Sequence, residues 1–158
     1  MSEPLHIATV GGHRLRFFKT PLDDGRPDMP WVAIDDLGRC IGLSRRNRKI
    51  HLRVFHSLSK DIIRTVATPD GRISIAPHAL ARAAVEALID TNRAPTSARD
   101  GYVNASAEAM SKLNPEGFPS VEALTTWLNA AANRWQSVGS VSTAELFPFI
   151  EKRGDHDA

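Results

Sequence analysis

The chain is expected to fold as an α+β protein: small β-hairpins packed with several helices, followed by a mostly helical C-terminal part. Three observations predict this. Two pairs of short apolar runs flank turn dipeptides, Gly11-Gly12 and Asp70-Gly71, and such pairs read as hairpins. Longer stretches free of proline and glycine carry apolar residues at helical spacing. These stretches become more frequent towards the C-terminus. Of 158 residues, 42% are hydrophobic and 24% charged, the composition of a globular chain long enough to bury a core without disulfides or metals.

In chain order, Leu5–Val10 and Arg14–Phe18 form the first hairpin around Gly11-Gly12-His13. Residues 21–30, rich in Asp, Gly and Pro, form a loop. Trp31–Ile34 reads as a short buried strand, and Asp35 or Asp36 caps a helix over Leu37–Ile41 that ends at Gly42. Ser44 caps a second helix over Arg45–Leu58. Ile62–Thr68 and Arg72–Ala76 form the second hairpin. Pro77 starts a helix whose buried face is Leu80, Ala84, Val85, Leu88 and Ile89. Residues 93–101, with Pro95, Thr96 and Ser97, read as a linker between a domain at 1–92 and a helical part at 93–158, the two packed as one compact unit. In the second part, Ala105–Leu113 is a short helix and Asn114–Pro119 a break. Ser120 then starts a helix with Val121, Leu124, Trp127, Leu128, Ala131 and Trp135 on one face. A turn at Ser137–Ser142 and a last helix over Ala144–Lys152 complete the chain.

Charge is distributed unevenly. Residues 1–100 hold 16 Lys and Arg against 11 Asp and Glu, and residues 101–158 hold 4 against 7. The excess concentrates between Arg39 and Lys60, where Arg39, Arg45, Arg46, Arg48, Lys49, Arg53 and Lys60 meet no acid. On a helical wheel Ile50, Val54 and Leu58 span about 80°. Arg45, His56, Lys49, Arg53 and Arg46 lie opposite within about 100°. Such a stripe suits the phosphates of double-stranded DNA, where each neutralised phosphate releases counterions. Arginine also forks onto guanine edges, and Asn47 could pair with adenine. The short link between the two helices is compatible with helix-turn-helix docking. The bland alternative is a solvated face neutralised by acids from elsewhere in the fold.

Catalytic chemistry is not expected. None of His6, His13, His51, His56, His78 and His156 has a partner at metal-ligand spacing. Cys40, the single cysteine, sits beside Ile41 as a core residue rather than a nucleophile. Helix capping accounts for the Asp35-Asp36 pair. Trp127 and Trp135 read as core or as part of an oligomer contact. No cofactor and no metal is expected. No apolar run reaches the length of a membrane span, and the first residues, Met1-Ser2-Glu3-Pro4, do not have the pattern of a secretory signal, so the cytoplasm is the expected location.

The run Trp31-Val32-Ala33-Ile34-Asp35-Asp36-Leu37, then Ile41-Gly42-Leu43, the basic helix, the Asp-Gly hairpin and Ile75-Ala76-Pro77 leading into Ala79-Leu80, resembles the N-terminal domain of the Bro family and phage antirepressors (Bro-N). Trp31–Leu37 is similar to its "W-F-V-A-x-D-V" strand and Ile41-Gly42-Leu43 to its "A-L-G-Y" helix end. His78-Ala79-Leu80-Ala81 stands loosely where "G-L-Y-x-L-I" is usual. Leu146–Gly154 is similar to the closing "V-L-P-x-I-R-K-x-G". Asp100–Ser106 resembles the "G-Y-x-N-A-T" opening of KilA-N domains. The resemblance covers residues 5–92 and the tail; residues 93–143 are a longer insert than the pattern has. It implies an α+β DNA-binding transcriptional regulator of phage or mobile-element type, working as a homo-oligomer and carrying no catalytic residues. The expected nucleic-acid contacts are Arg39, Arg45, Arg46, Asn47, Arg48, Lys49, Arg53 and Lys60. The rival reading is an antirepressor that binds and inactivates a repressor protein, with Trp127, Trp135 and Phe147 as its contact surface.

Overall fold

The computed structural model describes residues 1–58 and 62–136. The fold is α+β. A five-stranded antiparallel sheet carries β1 (His6–Val10), β2 (His13–Phe18), β3 (Trp31–Ala33), β4 (Arg64–Thr68) and β5 (Gly71–Ala76) in the order β1-β2-β3-β5-β4. Among the described residues there are five helices: α1 (Ile34–Cys40), α2 (Arg45–Leu58), α3 (His78–Asp90), α4 (Ser97–Leu113) and α5 (Val121–Asn133).

Strand alternation sorts the side chains into two layers. One face of the sheet, with Ala8, Val10, Leu15, Phe17, Val32 and Ala76, builds the main core with α1, α3 and α4. The other face, with Phe18, Trp31, Ala33 and Ile75, forms a smaller core that takes in Leu22 and Trp135.

Both hairpins form where the turn dipeptides place them, with Val10 paired to His13 and Thr68 to Gly71. Ser44 and Ser120 cap their helices as expected: Asn47 N–H donates to Ser44 Oγ at 3.2 Å and Ala123 N–H to Ser120 Oγ at 3.1 Å. Gly42 closes α1 with a positive φ of 85°.

Four expectations are corrected. Helix α1 starts at Ile34, and neither Asp35 nor Asp36 caps it. Instead, Asp36 lies buried, accepts the backbone N–H of Arg16 at 3.1 Å, and holds the Arg16 guanidinium in a fork at 2.7 and 2.9 Å. It takes over as the partner of β2 where β3 has already turned into α1. Second, the Pro-containing stretch 93–101 is no domain linker: Ala94 and Ala98 are buried and Gly101 lies inside α4. Helix α4 is part of the main core through Tyr102, Ala105 and Ala109, because it lies against β1 at the one point where its side chain is a hydrogen: a Cβ on Gly101 would stand 2.9 Å from Val10 Cγ1.

Third, the core-facing stripe of α2 is Asn47, His51 and Phe55, with Ile50 and Val54 only partly buried at its edge. Phe55 is the largest apolar side chain of the helix and turns inward, and burial of His51 beside it, ring centroids 4.6 Å apart, disfavours the charged form of the imidazole. The side chain of Leu58 lies outside the described residues. Fourth, α5 buries only Ala131 of its apolar face; Val121 is 79% and Leu128 38% exposed. The segments expected as a turn at 137–142 and a helix at 144–152 lie outside the described residues.

Candidate nucleic-acid interface

Helix α2 follows α1 after the four-residue turn Ile41-Gly42-Leu43-Ser44. Its outward face carries Arg45, Arg46, Lys49 and Arg53, all exposed. For Arg45, Lys49 and Arg53 no carboxylate lies within ion-pair distance among the described residues. The first turn of α2 contains no acid, so Arg45 stands at the positive end of the helix dipole, a placement that an anion relieves.

The structure divides the remaining basic residues differently from the wheel. Asp35, just upstream of the basic run, pairs with Arg39 at 3.0 Å and with Arg48 at 3.3 Å. Arg48 also donates to the carbonyl of Leu43 at 3.0 Å and so braces the turn between the two helices. Asn47 is buried, and its Oδ1 has no hydrogen-bond partner among the described residues; a residue on the core side of α2 cannot reach a base edge. Arg48 and Asn47 are therefore structural, contrary to expectation, and Arg39 shares the Asp35 carboxylate with Arg48. Lys60 lies outside the described residues. What survives as a continuous exposed stripe is Arg45, Arg46, Lys49 and Arg53.

His56 falls on the same side of α2 as this stripe, and its Nε2 lies 2.9 Å from Ser74 Oγ on β5. Arg72, two residues from Ser74 on the same strand face, is exposed. The hairpin β4–β5 thus flanks the stripe. Sequence reasoning passed over Arg72; the strand alternation Arg72-Ser74-Ala76 was the signal that could have found it.

The aromatic residues expected at a protein interface separate. Trp135 turns inward: it packs edge-on against Trp31, centroids 5.8 Å apart, and its Nε1–H donates to Asp28 Oδ1 at 2.9 Å. Trp31 Nε1–H donates to the other Asp28 oxygen at 2.8 Å, so one buried carboxylate ties the two indoles. Trp135 is a packing residue, in keeping with the core reading of it and not with the contact surface of the rival function. Trp127 sits on Phe118, centroids 5.8 Å apart, half-buried on α5. Phe147 lies outside the described residues.

Cys40 is buried, and burial pushes its thiol up to about 12. Among the described residues no three His, Cys, Asp or Glu side chains cluster to hold a metal ion, and no helix is long and apolar enough to cross a membrane. Comparison of the chain with protein families, with curated proteins and with solved structures finds no match in any of the three.

Proposed function

We propose that the protein is a DNA-binding transcriptional regulator that lays α2 along double-stranded DNA. The observation that carries this reading is the exposed stripe Arg45–Arg46–Lys49–Arg53 on the second helix of a tightly linked pair, with three of its cations lacking an acidic neighbour among the described residues. Such a face is costly to keep unneutralised at a helix N-terminus, and phosphates would neutralise it. The resemblance to Bro-N domains supports the same reading, and the protein is expected to act as a homo-oligomer.

The test is a titration of fluorescent duplex DNA across salt concentrations. Four phosphate contacts predict a slope of log K against log salt of roughly −3.6. Lys49→Ala with Arg53→Ala should weaken binding about tenfold and reduce the slope by about 2. Arg39→Ala, already paired to Asp35, should change little. Binding that is independent of salt, or equal in the double variant, would sink the assignment.

A second reading rests on α5, which leaves Val121 and Leu128 exposed beside Trp127. A repressor or other regulatory protein could be held there. Complex formation that persists at high salt and is lost in Leu128→Asp would favour it.

A further inference from the structure

A cleft of about 470 Å³ opens between the start of α3, the end of α5 and the loop before β3. Its volume lies within the about 300–1,000 Å³ of small-molecule sites. The walls are largely apolar, with Met29, Ala79, Leu128, Ala131, Ala132 and Trp135 among the lining residues. The polar lining consists of His78, Arg82, Asn129 and Gln136; among the described residues no carboxylate lines it, although Asp28, which accepts from Trp135 Nε1–H, lies close enough to His78 to act on its charge.

The charge and proton pattern of that lining can be read from its neighbours. Tyr102 is fully buried, and among the described residues the one hydrogen bond of its hydroxyl, at 2.8 Å, is to His78 Nδ1. The hydroxyl is satisfied only if it donates, so Nδ1 accepts and the neutral ring carries its proton on Nε2. That Nε2–H has no partner among the described residues. Arg82 touches Glu86 through Nε alone, at 3.3 Å. Glu86 is held chiefly by the fork from Arg99, at 2.7 to 3.0 Å. The two terminal nitrogens of Arg82 have no partner among the described residues.

We infer that this cleft is a binding site for a small monocarboxylate with an apolar body, its carboxylate held by Arg82 and the Nε2–H of His78 and its body against Trp135, Met29 and Leu128. A planar guanidinium matches a carboxylate in a two-pronged contact. One guanidinium and one neutral donor suit a single negative charge better than a phosphate dianion. The apolar majority of the wall requires a hydrocarbon or aromatic group on the ligand. The site is separate from the α2 stripe and does not depend on the DNA-binding reading.

The probe is 4-phenylbutyrate, titrated into the full chain by calorimetry, with its neutral amide and phenylbutyl phosphate in parallel. The acid should bind saturably and the amide at least about tenfold more weakly, the worth of one charge-assisted contact. Arg82→Gln should erase the preference for acid over amide, and Arg82→Lys should restore part of it. Leu128→Trp, a change at an exposed position that fills the cleft, should abolish binding of the acid. No saturable binding of the acid at millimolar concentration overturns the proposal. So does equal affinity for acid and amide, tighter binding of the phosphate, or binding unchanged in both Arg82→Gln and Leu128→Trp.

Discussion

At the residue scale, the fold depends on a few buried charges held by hydrogen bonds. Asp36 meets the Arg16 guanidinium and the Arg16 backbone N–H at once, and that hydrogen bonding raises the Arg16 guanidinium above its ordinary value. Removing Asp36 leaves the buried Arg16 guanidinium with only the exposed Asp70 carboxylate at 3.5 Å, at a cost of about 3–5 kcal/mol. Asp36→Ala should lower stability by that much in urea unfolding, whereas Asp35→Ala, at an exposed carboxylate, should cost under about 1 kcal/mol. A difference between the two variants of less than about 1 kcal/mol would contradict this account. Asp28 plays the matching part in the second core, and Asp28→Ala would strand two indole N–H groups. Cys40 is closed to chemistry: it is buried, its thiol is pushed up to about 12, and its Sγ lies 3.7 Å from the carbonyls of His13 and Arg14. It should not react with a disulfide reagent at neutral pH until the chain unfolds.

At the element scale, two close approaches set how the hairpin and α4 seat. Gly11 has φ +58°, and a Cβ there would stand 2.5 Å from the Cys40 carbonyl oxygen at the end of α1. Gly12 has φ +81° and open space around it. Gly12→Ala should therefore cost about 1–2 kcal/mol of backbone strain, and Gly11→Ala distinctly more, because the hairpin must also lift off α1. Equal thermal shifts in the two variants would be the wrong result. On α4, alanine at Gly101 gains about 1 kcal/mol of helix propensity but meets Val10, and overpacking costs about 1–3 kcal/mol. Gly101→Ala should be neutral to destabilising alone and stabilising in a Val10→Ala background, a sign change that a double-mutant cycle would measure.

At the scale of the whole molecule, the chain behaves as one core with a histidine-dependent pH response. Burial lowers His78 to about 4 and His51 to about 3, with the nearby Arg82 charge adding to the first. Above the ordinary histidine value of about 6.5 both rings are neutral folded and unfolded. Below it the unfolded chain takes up protons that the folded one refuses. Stability is then lost at about 1.4 kcal/mol per pH unit for each site, down to about pH 4 for His78 and about pH 3 for His51. Urea midpoints should fall as pH drops below 6.5, and His78→Gln should flatten the fall by nearly half; a slope unchanged by that variant would exclude His78 as a source. Because Tyr102, Ala105 and Ala109 belong to the main core, a fragment ending at residue 92 should lose cooperative unfolding, which circular dichroism would register.

Local signals in the sequence determined the parts whose geometry is local. The Gly-Gly and Asp-Gly turns, the serine caps at Ser44 and Ser120, the α+β class and the position of the basic helix were all legible, because each depends on residues within a turn or two of one another. The exposed half of the basic stripe was legible for the same reason: charge seeks water whatever surrounds it. The i,i+4 pair of Asp35 with Arg39 within α1 is local, whereas the tertiary structure alone decided that Arg48 joins Asp35 from another helix and which face of α2 goes inward, with Phe55 and His51 buried while Ile50 and Val54 stay at the edge. It also decided that Trp135 faces Trp31 across more than a hundred residues of sequence and that α4 belongs to the main core. Contacts of that range depend on how the sheet and helices close on each other, and no spacing along the chain encodes them.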